Sequence, residues 1–144
     1  MRFHHADKRE TSLVNRRLVH MANPHWAAIQ WTLTPENWSG RIEIRSALDG
    51  AVSNQGVPRY RDLNSQHLEV LETGCIGEDG IYLSVQTSQS HIRMVQAART
   101  RVFLNDEPAS LKRQTREAGG VAEQRLVVEC YREKPLRIDK VVAI

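Results

Sequence analysis

The chain has 144 residues and a mass of 16.5 kDa, which suits one domain of ordinary size. Hydrophobic residues make up 40% and charged residues 26%, values typical of globular proteins, so disorder is not expected. The 20 basic and 17 acidic residues are scattered along the chain, whereas nucleic-acid-binding proteins usually show a basic patch or stripe. We therefore expect no nucleic acid as a main partner.

Membrane insertion and export are not expected either. The longest apolar run, at 141–144, is far too short to cross a bilayer, and no apolar signal-peptide core follows Met1. Two cysteines, Cys75 and Cys130, cannot form a disulfide framework or fill a zinc site. These observations favour a cytoplasmic protein with reduced thiols.

Alternation of apolar and polar residues predicts β-structure along nearly the whole chain. The predicted strands, in chain order, are 2–5 and 11–20 as a hairpin, 27–34, 41–45, 51–54, 67–73, 81–87, strands within 90–104, 124–132 and 136–142. Asp49-Gly50 is predicted to form a tight hairpin turn that returns the chain along 51–54. The segment 112–120 is polar and ends in two glycines, so we interpret it as a loop. Many short strands without a helical pattern indicate an all-β, antiparallel sandwich.

No specific catalytic or metal motif is present. The sequence contains no P-loop, dinucleotide-binding fingerprint or nucleophile elbow. His20 and His25 are five positions apart, but Pro24 breaks any helix that would align them, so no metal site is expected. The acids Glu36 and Asp49 suit turns, as loop acids do in any sandwich. We therefore assign no catalytic residue, no metal ligand and no cofactor.

Five aromatic residues are candidates for a sugar-binding platform: Trp26, Trp31, Trp38, Tyr60 and Tyr82. Tyr60 is the best candidate for an exposed contact. Tyr60 lies in a loop between Arg59 and Arg61, and a ring flanked by guanidinium groups can bind a sugar, a phosphate or a neighbouring domain. Trp38 lies in a turn, where its ring either contacts a ligand or packs down to fasten the turn. The alternative for Tyr60 is a solvated loop with a packed ring. Trp31 shares the phase of Ile29 and Leu33, so we expect it in the core.

Several sequence blocks, taken in order, resemble one known family. They are 16–25 (RRLVHMANPH), 33–40 (LTPENWSG), 45–50 (RSALDG), 54–63 (NQGVPRYRDL), 86–90 (QTSQS) and 97–101 (AARTR). The set is similar to the N-terminal β-sandwich domain of glycoside hydrolase family 65, which includes maltose, trehalose and kojibiose phosphorylases and related α-glucoside hydrolases. The resemblance covers 3–104 well and the remaining residues weakly.

The resemblance implies a large antiparallel supersandwich of the galactose-mutarotase type, followed in family enzymes by a helical linker and an (α/α)6 barrel. In that barrel a glutamate acts as general acid, and bound inorganic phosphate attacks the anomeric carbon with inversion to give β-glucose 1-phosphate. This chain contains none of the barrel, so no catalytic or phosphate-binding residue is carried over. Family sandwiches also extend before the position of Arg2 and far beyond Ile144, so the sandwich over 1–144 is expected to be an incomplete fragment of the domain.

The leading hypothesis is a non-catalytic accessory domain, inactive alone, that supports a catalytic barrel in the same parent chain and helps build a homodimer. The parent would act on α-linked glucosides by phosphorolysis or hydrolysis. Open sheet edges are expected to pair with a second copy or to be covered by the tail after Lys112. Two alternatives remain open. One is a free-standing carbohydrate-binding module that uses Trp38 and Tyr60, and the other is an independent enzyme in which a histidine is positioned by a carboxylate.

Overall fold

The computed structural model describes residues 1–53 and 66–144, which form strands and turns. The strands are β1 (Arg2–His4), β2 (Glu10–Val19), β3 (Trp26–Pro35), β4 (Gly40–Asp49), β5 (Leu68–Ile76), β6 (Gly80–Thr87), β7 (Arg93–Leu104), β8 (Glu107–Pro108), β9 (Arg113–Ala118), β10 (Val121–Cys130) and β11 (Leu136–Ala143). Within this described part, no helix has the length and apolarity needed to span a membrane.

The strands form two antiparallel sheets of unequal width. The large sheet has the order β1-β2-β3-β11-β7-β6-β5, with the short β8 paired to β7, and the small sheet has the order β4-β10-β9. Each sheet contributes alternate residues to a shared apolar interior, so the predicted antiparallel β-sandwich is confirmed.

The core lies where the small sheet covers β6, β7 and β11. Its buried side chains alternate with exposed ones along each strand, as expected when one face of a sheet is covered. The fully buried members include Ile81, Leu83, Val102, Leu126, Val128 and Leu136. Polar contacts also join the two sheets. In one of them the hydroxyl groups of Ser46 and Thr100 lie 2.7 Å apart, and both residues are buried.

The small sheet covers only part of the large one. Beyond β11, the strands β3 and β2 continue with both faces partly open, and residues 14–19 of β2 are all exposed. The consequence is a broad sheet surface with exposed apolar side chains, among them Val14, Leu18, Trp26 and Trp31.

The predicted hairpin at Asp49-Gly50 is wrong. Residues 51–53 are not a strand, and β4 pairs with β10 instead, with Asp49 opposite Val121. The backbone N–H of Gly50 donates to the carbonyl of Gly120, and φ at Gly50 is not positive. Glycine is needed here for space, because a Cβ on Gly50 would lie 2.6 Å from the side chain of Val70.

The predicted loop at 112–120 is also wrong. Residues 113–118 form β9, and a tight turn with φ of 61° at Gly119 and 79° at Gly120 leads into β10. Five of the six β9 residues are exposed, so the strand shows no apolar alternation.

The tail after Lys112 also differs from its predicted role as an edge cover. It supplies β9, β10 and β11, and β11 lies inside the large sheet between β3 and β7. The tail is therefore part of the framework of both sheets.

Candidate functional site

The predicted contact residues fall into two groups. Arg59, Tyr60 and Arg61 lie outside the described residues, so their contact role stays a prediction. Trp38 is described and lies in the turn between β3 and β4.

Trp38 is partly buried against the start of β2. Its indole N–H lies 3.1 Å from the carbonyl oxygen of Glu10 and 3.1 Å from the hydroxyl of Thr11. The guanidinium of Arg9 lies 5.2 Å from the ring centroid, within cation–π range. These contacts fasten the turn to the N-terminal hairpin and occupy the polar edge of the indole.

The face of the large sheet that points away from the small sheet is called here the outer face, and it carries grooves. One of its grooves encloses about 530 Å³. The groove is lined by small residues, including Gly80, Ala97 and Ala143, and by Trp26, which has 52% of its surface exposed. An exposed aromatic ring beside small residues suits contact with an apolar or sugar surface.

Charged side chains also line this groove, namely Arg99, Arg101 and Asp139. The carboxylate of Asp79 accepts from Arg99 at 3.0 Å and from Arg101 at 3.2 Å, so one negative charge faces two positive charges. The carboxylate of Asp139 accepts from the amide of Gln30 at 3.0 Å. The groove therefore offers aromatic, hydrogen-bonding and cationic groups, which can bind a polar ligand or a neighbouring domain.

A second candidate surface lies on the opposite face, where β4 meets β3 and β11. The ammonium of Lys140 donates to the carbonyl of Ala47 at 2.8 Å, beside Ile29, Trp31 and Thr100. Burial between the sheets lowers the pKa of the Lys140 ammonium. Trp31 was expected in the core; it does point towards the small sheet, but it keeps 44% of its surface exposed because that sheet stops at β4.

The described part of the chain gives little support for catalysis. A glycosidase general acid needs a raised pKa. Hydrogen bonds from Arg125 and Arg45 instead lower the pKa of the Glu123 carboxyl. His4 lies 3.6 Å from Glu10, but both side chains are well exposed on the N-terminal hairpin. Within residues 1–53 and 66–144, no three histidine, cysteine or acidic side chains are grouped to hold a metal ion.

Sequence reasoning missed Arg99, Arg101 and Lys140 as site residues. The alternating phase of β7 does place Arg99 and Arg101 on one face. It does not reveal that this face is open, because the covering sheet is built from residues far away in the chain. The available signal for Lys140 was a lysine in the otherwise apolar phase of β11, between Ile138 and Val142.

The comparisons with known proteins agree on one family. The sequence model for the N-terminal domain of glycosyl hydrolase family 65 matches residues 1–144. An uncharacterized glycosyl hydrolase of Mycobacterium tuberculosis is 41% identical over 103 residues, covering 72% of this chain and 8% of its own length. Kojibiose phosphorylase of Caldanaerobacter subterraneus subsp. tengcongensis is 29% identical over 137 residues, covering 92% of this chain and 17% of its own length.

A solved structure adds agreement on the fold. A candidate kojibiose phosphorylase from the human microbiome superposes with a TM-score of 0.76 at 15% sequence identity, covering 94% of this chain and 16% of that chain. The chain thus spans only 8–17% of the length of these relatives. It belongs to glycosyl hydrolase family 65 and corresponds to the N-terminal β-sandwich domain of that family.

Proposed function

We propose that this chain is the non-catalytic accessory domain of a longer glycoside-cleaving enzyme, in which it supports a catalytic barrel of the same parent chain. The observation that carries the proposal is the match of all 144 residues to an N-terminal domain whose relatives are several times longer. We also propose that these 144 residues are a fragment of a longer domain.

The open surfaces of the large sheet support this role. Trp26, Leu18 and Val141 are exposed on the outer face, and Trp31 is exposed on the other face. Apolar surface of this kind contributes roughly 25 cal/mol for each Å² removed from water. A neighbouring domain of the parent chain would gain that free energy by packing here, whereas an isolated domain leaves it unused.

The activity belongs to the parent in this proposal. Kojibiose phosphorylases are among the relatives, so we infer a parent that cleaves α-linked glucosides, with inorganic phosphate as co-substrate in the phosphorolytic case. The barrel would hold the general acid and the phosphate. A homodimer and a cytoplasmic location complete the proposal.

The size of the natural product tests it. An antibody raised against residues 1–144 is used to blot a lysate of the source organism, with a strain lacking the coding sequence as control. A specific band several times heavier than 16.5 kDa is the expected result. A specific band at 16.5 kDa would show that the cell uses the sandwich alone and would overturn the accessory role.

A free-standing carbohydrate-binding module is the second candidate. The groove beside Trp26, which the cations Arg99 and Arg101 also line, favours it. Titration of α-linked glucosides against tryptophan fluorescence distinguishes the two functions. The accessory domain should give no saturable change in fluorescence, whereas a binding module should give a saturable change that Trp26→Ala removes. The variants Trp38→Phe and Tyr60→Phe test whether the positions predicted from the sequence contribute to that binding.

A further inference from the structure

The inner face of the large sheet, meaning the face towards the small sheet, extends beyond the edge of that sheet. The register of β2, β3 and β11 places Leu13, Asn15, Arg17, Ile29 and Trp31 on this extension, next to Ile138 and Lys140. We call these first five residues the uncovered inner face. It is mostly apolar, and its charged member is a cation.

Strand β4 borders this face, and on its side away from β10 no other strand of residues 1–53 and 66–144 pairs with it. In an antiparallel strand, each residue directs its N–H and its C=O to the same side, and successive residues alternate between the two neighbouring sides. The carbonyl of Ala47 accepts from Lys140 instead of from β10, so Ala47 faces the free edge. By the same alternation, Glu43 and Arg45 also direct their N–H groups to the free edge, while Ile44 and Ser46 direct theirs to β10.

Lys140 lies where the free edge meets the uncovered inner face. It uses one donor on Ala47, and an ammonium carries three. Among the described residues, no carboxylate forms an ion pair with Lys140, and Arg17 adds a second cation to the same face. A half-buried ammonium without a counter-ion is stabilised by an acidic partner, so this surface is complementary to an apolar strand that carries a carboxylate.

We propose that a β-strand of the parent chain, from outside these 144 residues, pairs with the free edge of β4, covers Trp31 and Ile29, and places an aspartate or glutamate on Lys140. This inference rests on the proposed function, because it requires a longer parent. The relatives have the necessary length, since this chain spans 8–17% of them. A second copy of this chain is a poorer fit, because its uncovered inner face would bring the same cations.

Amide hydrogen exchange in the full-length parent protein tests the pairing, resolved to single residues of β4. Pairing slows exchange at Glu43, Arg45 and Ala47 by at least about 100-fold relative to an open strand. The amides of Ile44 and Ser46, already paired with β10, are the internal control. Free exchange at the three odd-numbered positions would overturn the proposal. Protection that falls on dilution would also overturn it, since the occupant would then be a second copy.

Zero-length carbodiimide cross-linking of the same full-length protein tests the carboxylate. Mass spectrometry should find Lys140 joined to an acid outside residues 1–144, and Lys140→Met should remove that one product while links from Lys8 and Lys112 remain. A link to an acid inside the 144 residues, or none while other lysines react, would overturn the acidic partner. If the antibody blot shows a heavy parent protein but the amides of β4 exchange freely, the accessory role stands and only this inference is refuted.

Discussion

At the scale of single residues, Trp38 has the clearest structural task. Its indole N–H is shared between the Glu10 carbonyl and the Thr11 hydroxyl, at 3.1 Å from each. Trp38→Phe keeps an aromatic ring and removes the donor, so we expect a loss of about 1–2 kcal/mol in the free energy of unfolding. Urea unfolding measures it.

Trp26→Phe is the matched control, because its ring is largely exposed on the outer face. Its cost should stay within about 0.5 kcal/mol. Equal costs for the two substitutions would show that the hydrogen bonds of Trp38 do not fasten the turn.

Glu123 predicts a pH dependence of stability. The carboxylate lies between Arg125 and Arg45, whose hydrogen bonds lower its pKa in the folded chain. A lowered folded pKa gives stability that is fully present above the unfolded pKa of about 4.3 and is lost as the pH falls through the folded value. Glu123→Gln should therefore reduce the loss in the free energy of unfolding between about pH 7 and about pH 3, measured by urea unfolding at each pH.

Glu129→Gln is the control for this experiment. Glu129 pairs with Arg41, and both side chains are more than half exposed, so solvent screens the pair. Its loss in the free energy of unfolding at low pH should match that of the unchanged protein. If Glu123→Gln also shows the pH dependence of the unchanged protein, a stabilising role for the buried carboxylate is contradicted.

At the scale of elements, the sequence located most strands but not all of their partners. Alternation identified β6, β10 and β11 because each has one face in the core. It also identified β3, whose residues alternate although both faces of the strand are partly open. It missed β9, whose side chains are nearly all exposed and so carry no pattern. The pairing of β4 with β10 joins residues about 70–90 positions apart, which local turn chemistry at Gly50 cannot indicate.

Among the polar contacts that join the two sheets, one buried pair of hydroxyl groups is suited to measurement. Ser46 on β4 and Thr100 on β7 have hydroxyl groups 2.7 Å apart. Thr100→Val keeps the shape but leaves the Ser46 hydroxyl buried and unpaired, so we expect a loss of about 1–3 kcal/mol in the free energy of unfolding. Ser46→Ala should cost a similar amount.

The double variant Ser46→Ala/Thr100→Val closes the thermodynamic cycle. Because it removes both polar groups, its cost in urea unfolding should be clearly smaller than the sum of the single costs. Additive costs would show that the two hydroxyl groups do not interact across the sandwich.

At the scale of the whole molecule, the site was less predictable than the strands. The phase of Trp31 correctly indicates which way its ring points, but burial depends on how far the small sheet extends, and that width is set by non-local pairing. The same reason hides the groove beside Trp26 and the position of Lys140. Alternation indicates which face of a sheet a side chain lies on. Whether that face is buried depends on strands that are distant in the sequence.

An open β4 edge also predicts how the 144-residue chain behaves when it is produced alone. With no parent strand present, the unpaired N–H and C=O groups of β4 offer a template for a second copy. We expect sedimentation velocity to show association that increases with protein concentration. Glu43→Pro removes one donor from the free edge and leaves the ladder to β10 intact, so it should shift the chain towards monomer.

Glu43→Ala is the matched control for this shift. It removes the same exposed carboxylate and its 3.4 Å contact with Arg125, but it keeps the backbone N–H. If it dissociates the chain as strongly as Glu43→Pro, side-chain contacts hold the copies together. If the unchanged chain is monomeric at every concentration, association through β4 is refuted.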